Sequence, residues 1–562
     1  MLSKKLLLAL VVLVAGMFMF TACNRNGDAP PAPAPGVAPT APTAPGTPID
    51  PGTGAPVTPV DVPEEDRFPA ELTIWGTNIT GGIGADSNEA VWAWREIQER
   101  TGTNITWRHP TYGDADAFTL MIATGDWPDL IQTNWNTVPG GAAIYHTDRV
   151  ILRLNDLIYG HMPNYLTRLN ATGFRHAIEV GEDRNMYFIT GIQEPYALSV
   201  IGPQIRQEWL DNVGLPAPRT TDELTNVLRA FRDNDPNQDG RATTPLTGFG
   251  IRALGPGATN FAMEMNLWPF GTSLNFYHIN GEVIFGPLTA EFEEGVRWLR
   301  MLNEEGLMDP EWATNARADS DGRVMDGTAG YMPGIQMSGM HNNMAANHPD
   351  VEFNVVGVGH LSSTPGGPGF VFHNRFVELL QFAHTSVAIT TRAENPEATA
   401  RFLDFFWTDE ATMLHNFGIY GVTYTYDANG NPVYTDYMMQ HIVEGTWSTY
   451  TFHTSTAWPT FRRFDSFSPT LHPNAAEAML TWGATMDTSR VLPSLTMSGA
   501  AADRVPTIMM DIHTHVEEMF VRFVNGVEPL DSFPRFRQEL LNMNIQEAID
   551  AHQEAFDLIR FR

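Results

Sequence analysis

Cysteine and lysine are almost missing from this chain of 562 residues. Its single cysteine is Cys23, so it cannot form an internal disulfide bond or a metal site built from several thiolates. Its only lysines, Lys4 and Lys5, lie within the first five residues. Catalysis through a lysine Schiff base is therefore excluded for the rest of the chain.

Positive charge is also scarce, with 34 basic against 65 acidic residues and a formal net charge of −31. This balance argues against a nucleic-acid partner, because such binding needs a basic surface. The chain is 43% hydrophobic, which is enough for a large core, and it is longer than the stretch that one core usually holds. We therefore expect at least two lobes. The acidic composition, with 14 Trp and 14 Tyr, favours an extracellular binder of neutral ligands, although most aromatic rings are expected in the core.

The one long apolar run lies at the start of the sequence. Residues 1–5 are basic, residues 6–20 are apolar, and two small residues then precede Cys23. A spanning helix, the alternative, needs about 20 apolar residues, so the pattern predicts a secretory signal. It resembles a bacterial lipobox, with Phe20 where leucine is usual. The resemblance implies a palmitate-type lipid on Cys23 and a lipoprotein on the extracellular face of a Gram-positive-type cell membrane.

Residues 24–66 consist largely of Pro, Ala, Gly and Thr. Such a segment buries too little apolar surface to fold. Proline-rich chains extend at about 3.1 Å per residue, so this one could span on the order of 100 Å. We predict a disordered stalk between the lipid and a domain at 67–562.

Strand and helix patterns alternate at the start of that domain. Residues 71–75, 104–107 and 129–132 have strand patterns, and 90–100 and 118–124 have helical spacing. This alternation predicts an α/β fold with a parallel sheet.

Helical patterns dominate later in the chain. Residues 216–223 have a helix-entry pattern, and 291–306 and 396–407 are amphipathic. Two further stretches, 508–524 and 536–559, predict a helical C-terminal region.

Seven segments, taken in order, resemble the extracellular solute-binding lipoproteins of bacterial ABC-type oligosaccharide importers (family 1-like). They lie at 101–102, 123–129 (ATGDWPD), 152–164, 205–224, 302–311, 388–404 and 418–421. The last departs from the family pattern, because Tyr420 stands where glutamate is more common. The resemblance covers nearly all of 68–562.

This resemblance implies a two-lobed, periplasmic-binding-protein-like fold of type II, with hinge strands. Lobe one would hold 68–195 and 380–415, and lobe two 204–378 and 416–562. The first hinge crossing would lie at 196–203. Ligand binding would close the lobes.

The implied function is capture of an extracellular oligosaccharide and its delivery to permease subunits, by a monomer that performs no chemistry. Two alternatives stay open: a secreted carbohydrate-active enzyme, and a surface adhesin or sensor with the same fold. The chain has no GxSxG, HExxH or phosphate-loop motif, which is weak evidence against an enzyme.

Aromatic and amide side chains follow two of the predicted strands. Trp75 closes the first strand, and Asn134 and Trp135 follow the third. Ligands bind beyond the carboxyl ends of strands in open α/β sheets, and sugars suit aromatic rings beside hydrogen-bonding groups. We therefore predict that these three residues contact the ligand.

Three further tryptophans are ligand candidates by context. Trp268 lies in a loop with Pro and Gly, and Trp447 and Trp458 lie in an aromatic-rich stretch. For each of them, packing in the core is at least as good an interpretation.

A DPNQDG segment resembles a calcium loop. Asp235, Asn237 and Asp239 supply oxygen at positions one, three and five, and Thr243 is a further candidate ligand. Position twelve is Leu246 rather than the acidic residue of an EF-hand. A structural calcium ion and a plain turn both remain open, and no other cofactor is expected.

His513 and His515 are the remaining pair with metal-ligand chemistry. Residues two apart on a helix point to different faces, so we do not expect them to share a metal ion.

Overall fold

The structure is a computed structural model. It describes residues 68–78, 87–110, 116–135, 138, 141–172, 175–180, 184–194, 201–249, 263–335, 337–372, 382–443, 446, 450–451, 458–493, 495, 497 and 500–560. All of them lie within Pro63–Arg562, which forms one compact unit. The predicted signal, the lipid site at Cys23, the stalk and most of the first hinge crossing lie outside the described residues.

The strands are numbered in chain order. They are β1 (Glu71–Trp75), β2 (Asn104–Arg108), β3 (Leu130–Thr133), β4 (Glu179–Val180), β5 (Asn185–Met186), β6 (Ile189–Gln193), β7 (Ile201–Arg206), β8 (Phe276–Ile279), β9 (Glu282–Phe285), β10 (Tyr331–Ile335), β11 (Val355–Gly357), β12 (Gly369–Phe370), β13 (Phe382–Ile389), β14 (Tyr424–Tyr426), β15 (Pro432–Tyr434), β16 (Phe461–Arg462) and β17 (Met486–Asp487).

The α-helices are numbered in the same way. They are α1 (Trp92–Thr101), α2 (Ala117–Thr124), α3 (Ala142–Thr147), α4 (Asn155–His161), α5 (Pro163–Thr172), α6 (Gln207–Val213), α7 (Thr221–Asp233), α8 (Ala290–Glu304), α9 (Arg317–Met325), α10 (Ser338–Asn347), α11 (Pro396–Phe405), α12 (Asp409–Phe417), α13 (Asp436–Val443), α14 (Phe464–Phe467), α15 (Pro473–Thr485), α16 (Ala500–Val524), α17 (Phe533–Asn542) and α18 (Ile545–Arg560).

The larger sheet has six strands in the order β16-β6-β13-β3-β1-β2. The strands β1, β2 and β3 are mutually parallel, β13 runs antiparallel to β3 and β6, and β16 is parallel to β6. The carboxyl ends of β1, β2, β3, β6 and β16 therefore lie along one side of the sheet. We call this side the carboxyl edge.

The first core forms around this sheet. Alternation along β1 buries Leu72 and Ile74, as the sequence pattern predicts. Helix α1 ends at Gly102, whose φ of 68° suits glycine and lets the chain turn into β2. The predicted strand–helix–strand–helix–strand order is confirmed over 71–133.

A second core forms around the three-stranded antiparallel sheet β10-β7-β11. Helix α7 begins at a capping box, in which Thr220 and Glu223 exchange hydrogen bonds with each other's backbone. Helices α16 and α18 pack with α8 and β9, so the C-terminal helices belong with this second core. The structure thus has two α/β cores and a two-lobed fold.

Two helical predictions in the C-terminal region need correction. The first helix begins at Ala500 rather than near 508, and it runs through Pro506. The stretch 536–559 is two helices, α17 and α18, separated by a turn in which Asn544 has φ 65°. Asparagine tolerates this left-handed conformation better than most residues.

The return of the chain to lobe two lies later than the resemblance implied. Residues 416–462 were expected in lobe two, but β16 pairs with β6, and Trp458 is packed in the first core. The chain then leaves through residues 463–472 and enters α15, which packs on β7 and β11. Pairing of β6 with a strand some 270 residues away decides this boundary, and local sequence patterns do not carry it.

None of the helices in the described part of the chain has both the length and the apolar composition needed to cross a bilayer.

Candidate functional site

Polar and aromatic side chains line the carboxyl edge. Trp75 ends β1, Asn134 follows β3, Gln193 ends β6 and Arg462 ends β16. In open α/β sheets this side is where ligands bind. The edge also meets the chain crossing at 463–472, so it lies beside a link between the two lobes.

Trp75 has the placement predicted for a ligand-contacting ring. Its side chain is half-buried at the carboxyl edge, and its ring meets Phe118 edge to face at 6.0 Å between centroids. Asn134, half-buried, lies at the end of the neighbouring strand β3. These two residues offer a ring face and an amide at the same edge.

Trp135 lies in the core. Its side chain is 1% exposed, and its indole N–H donates to the Ile131 carbonyl at 3.1 Å. Its ring packs edge to face against Phe118 at 5.9 Å and Tyr145 at 5.6 Å. Phe118 thus lies between the rings of Trp135 and Trp75 and contacts both. Direct ligand contact by the Trp135 ring would require this packing to open.

The remaining predicted tryptophans divide between the two lobes. Trp458 is buried in the first core, with its ring 5.0 Å from that of Trp94. Trp268 is 2% exposed in the second lobe, and its ring lies 6.5 Å from His360. Both rings are enclosed by other side chains. Trp447 lies outside the described residues.

His109, at the end of β2, is part of the carboxyl edge and was not anticipated from the sequence. The Asn88 N–H donates to its Nε2 at 3.3 Å, so Nδ1 carries the proton and donates to the Gly76 carbonyl at 2.8 Å. Burial lowers the pKa of His109, and its ring stacks on Trp107 at 5.3 Å. A neutral imidazole therefore connects Gly76, which follows β1, with Asn88, which precedes α1.

Asn416 organises the crossing at 463–472. Its Oδ1 accepts hydrogen bonds from Arg463 N at 2.9 Å and Ser466 Oγ at 2.8 Å. Glu194, at the end of β6, accepts from Phe464 N at 2.8 Å. These bonds fix the chain as it leaves the first sheet.

The DPNQDG segment forms a turn whose oxygens are already engaged. Asp235 accepts from the backbone N–H groups of Asp239 and Gly240, at 3.2 and 3.1 Å. The Asn237 oxygen accepts from the Trp209 indole at 3.1 Å. Thr243 donates its hydroxyl to the Phe231 carbonyl at 2.9 Å.

A guanidinium holds the remaining carboxylate of this turn. Arg241 donates to Asp239 through Nε at 2.8 Å and forms an ion pair through Nη2 at 2.7 Å. This hydrogen bonding lowers the pKa of Asp239 to about 2. The donor set does not fit a calcium ion, because a cationic side chain already neutralises the acid that the ion would need.

The two histidines of α16 face different neighbours. His515 lies 3.2 Å from Glu539 of α17, whereas His513 faces His552 of α18. Over the described ranges, no group of three or more His, Cys, Asp or Glu side chains is placed to hold a metal ion.

No protein-family model matches the chain. Among curated proteins, it is 26% identical over 355 residues to the fructooligosaccharide ABC transporter substrate-binding protein FusA of Streptococcus pneumoniae serotype 4, an alignment that covers 60% of this chain and 61% of FusA. It is 24% identical over 336 residues to the polygalacturonan/rhamnogalacturonan-binding protein YtcQ of Bacillus subtilis, covering 59% of this chain and 63% of YtcQ. The chain thus spans about three fifths of the length of these relatives. It also matches lipoprotein LipO of Bacillus subtilis, at 28% identity over 39% of this chain and 43% of LipO.

Solved structures extend the similarity over most of the chain. An HMO-binding, ABC-transporter-associated solute-binding protein from Bifidobacterium longum infantis superposes with a TM-score of 0.69 at 17% identity, over 87% of this chain and 99% of that one. The alginate-binding protein AlgQ2, solved without calcium, gives 0.59 at 20% identity, over 87% and 98%. These structures share the fold. The chain is thus similar in sequence to substrate-binding proteins named for oligo- or polysaccharides, and it shares its two-lobed α/β fold with solved solute-binding proteins.

Proposed function

We propose that this protein is the membrane-anchored substrate-binding component of an ABC transporter, which captures an extracellular oligosaccharide and delivers it to the permease. The observation that carries this proposal is the carboxyl edge itself. It combines the half-buried ring of Trp75 with Asn134, Gln193 and Arg462, beside a chain crossing between two lobes.

The chemistry of this edge suits a sugar. The C–H face of a pyranose or furanose ring packs on an indole, and its hydroxyls need donors and acceptors at fixed positions. Amide and guanidinium groups supply both. The named ligands of FusA and YtcQ are both oligo- or polysaccharides, which supports the same ligand class here.

Capture would proceed by closure of the lobes. A ligand shifts the open and closed populations only by contacts that differ between them. Side chains of lobe one at the carboxyl edge and groups of lobe two would touch the sugar together only in the closed form. The hydrogen bonds of Asn416 and Glu194 would keep the crossing at 463–472 in place during this motion.

Anchoring belongs to the same proposal. A lipid on Cys23 and an extended stalk over 24–66 would hold the domain near the permease on the outer face of the membrane. LipO, one of the relatives, is named a lipoprotein, which supports this location. We infer that the protein acts as a monomer and without catalysis.

A thermal-shift screen of neutral and acidic oligosaccharides tests the proposal. Ligand at 100 times its dissociation constant stabilises a protein by about 2.7 kcal/mol, which raises the melting temperature by a few degrees. We expect one oligosaccharide class to give such a shift without release of new reducing ends. Turnover of the bound sugar would identify an enzyme instead, and unchanged sugar uptake after gene deletion would favour a sensor or adhesin.

A further inference from the structure

Arg462 lies at the carboxyl edge on the outer strand β16. Its register partner on the parallel strand β6 is Gln193, and the preceding pair is Phe461 with Ile192. Side chains alternate between the faces of a sheet. Phe461 and Ile192 pack with the first core, so Arg462 and Gln193 lie together on the other face.

The guanidinium of Arg462 lies against the crossing at 463–472. Its Cζ lies 4.1 Å over the ring of Phe467. Phe467 packs against a hydrophobic cluster of lobe two that includes Met332 and Trp482. Arg462 therefore contacts a ring of the crossing, and that ring in turn packs against lobe two.

Unlike two neighbouring guanidinium groups, that of Arg462 has no carboxylate partner among the described residues. Arg463 forms an ion pair with Asp465 at 2.5 Å, and Arg168, whose guanidinium lies over the Phe461 ring, pairs with Asp409 at 2.9 Å. Within the described ranges, Arg462 has no such ion pair or side-chain hydrogen bond.

A desolvated charge without a counter-ion is costly. The side chain of Arg462 is half-buried, and burial lowers its pKa to about 10. The group stays charged at neutral pH, so its cost persists. Among the described residues, the guanidinium gains a cation–π contact with Phe467, which is weaker than a pairing with a carboxylate.

We propose that Arg462 determines ligand specificity by binding the carboxylate of an acidic oligosaccharide, a chain of hexuronic acids. This inference rests on the proposed function and names its substrate class. A guanidinium matches a carboxylate with two parallel hydrogen bonds, and such charge-assisted pairs are the strong ones. The Gln193 amide lies on the same face of the sheet, where it can hydrogen-bond to a hydroxyl of the same uronic acid unit. The overall charge of −31 favours neutral ligands in general, but this one site carries a local positive charge.

The test uses the full chain, a uronate trimer (trigalacturonate) and the methyl ester of that trimer. The ester keeps the sugar and removes the charge. We expect calorimetry to show tighter binding of the acid than of the ester. Arg462→Met keeps an unbranched side chain and removes the guanidinium, and it should weaken acid binding at least tenfold while leaving ester binding within about twofold.

Arg168→Met is the matched control. It removes a guanidinium of helix α5 that lies over the ring of Phe461. This ring is on the face of β16 opposite to Arg462. The variant should leave both affinities unchanged. Arg462→Lys keeps the charge without the two-pronged donor and should fall between wild type and Arg462→Met, which makes the test usable even if the Met variant folds poorly.

Two results would overturn the inference: equal acid binding by wild type and Arg462→Met, or binding of neutral oligosaccharides but no uronate. In either case the proposed function would stand. If the full chain bound no oligosaccharide, neutral or acidic, the proposed function itself would fail.

Discussion

Arg241 and Asp239 form an ion pair across the turn that resembles a calcium loop, with the guanidinium Nη2 2.7 Å from the carboxylate. The same guanidinium donates to the Asp326 carbonyl at 2.7 Å. A tethered cation thus connects this turn to the end of α9 and occupies a carboxylate that a calcium ion would need.

Chelation should therefore leave this protein unchanged. We expect EDTA and millimolar calcium to have no effect on the melting temperature of wild type. Arg241→Gln removes the competing cation, and we expect only this variant to gain stability with added calcium. A lower melting temperature of wild type after chelation, restored by calcium, would show that the turn binds the ion.

Replacing Trp75 should weaken ligand binding more than it weakens the fold. Its half-buried ring lies at the carboxyl edge, and a packed aromatic ring contributes about 0.5–1.5 kcal/mol beyond its area. We expect Trp75→Ala to reduce oligosaccharide affinity about tenfold or more in calorimetry. Trp75→Phe should retain most of the affinity.

Trp127 provides the matched control for that experiment. It is also half-buried in lobe one, but it precedes β3 and lies at the opposite end of the strand. Trp127→Ala should leave the affinity unchanged. Equal losses in the two alanine variants would mean that Trp75 acts only through stability.

Trp135 should behave as a core residue. Its ring is 1% exposed, and truncation of a buried Trp to alanine costs about 3–5 kcal/mol. We expect urea unfolding to show a loss of this size for Trp135→Ala, and a smaller one for Trp135→Phe, which lacks the hydrogen bond to Ile131. A Trp135→Phe variant with wild-type stability but strongly reduced affinity would return this ring to the binding site.

Stability should fall with acid partly because of His415. Its Nε2 lies 3.0 Å from the Phe461 carbonyl, and burial lowers its pKa from 6.5 to about 4. Below pH 6.5 the unfolded chain binds a proton that the folded chain excludes. The contribution of neutral His415 is therefore complete above pH 6.5 and is lost as the pH falls toward 4, by up to about 3 kcal/mol.

Unfolding by urea across this pH window measures the effect. The slope of stability against pH should be shallower in His415→Gln than in wild type. Exposed His348 is the control, and His348→Gln should keep the wild-type slope. An unchanged slope in His415→Gln would remove His415 from the acid response.

Asn416 should control the crossing between the lobes. It is buried, accepts two hydrogen bonds from Arg463 and Ser466, and donates to the Phe461 carbonyl at 2.7 Å. At about 1 kcal/mol for each lost bond, Asn416→Ala should destabilise the protein by about 2–4 kcal/mol. X-ray scattering should then show a smaller compaction with ligand than in wild type. Exposed Asn429→Ala should change neither quantity.

Much of lobe one could be predicted from the sequence because its early elements follow one another and pair with near neighbours. The alternation in Glu71–Trp75 and the helix end at Gly102 are local signals, and the structure has both. The break at Asn544 was missed, since a single left-handed residue interrupts an otherwise continuous helical pattern.

Residues that meet only in three dimensions could not be predicted. Trp135 and Trp75 were equivalent by sequence, because each ends or follows a strand, yet one is enclosed by Phe118 and Tyr145 and the other is half-buried. Arg462 carries no motif. Its interest comes from pairing with β6 and from the ring of Phe467 beneath it.

The sequence alone determined what this protein cannot use and what class it resembles: a single cysteine, no lysine beyond the first five residues, an acidic composition and an ordered set of α/β motifs. Only the tertiary structure decided that Arg241 neutralises Asp239, that Phe461 and Arg462 pair with β6 of lobe one, and that Arg462 lies against the crossing without a carboxylate partner among the described residues. The physical reason is that composition and periodicity report local preferences, whereas charge compensation and strand pairing depend on contacts between distant parts of the chain.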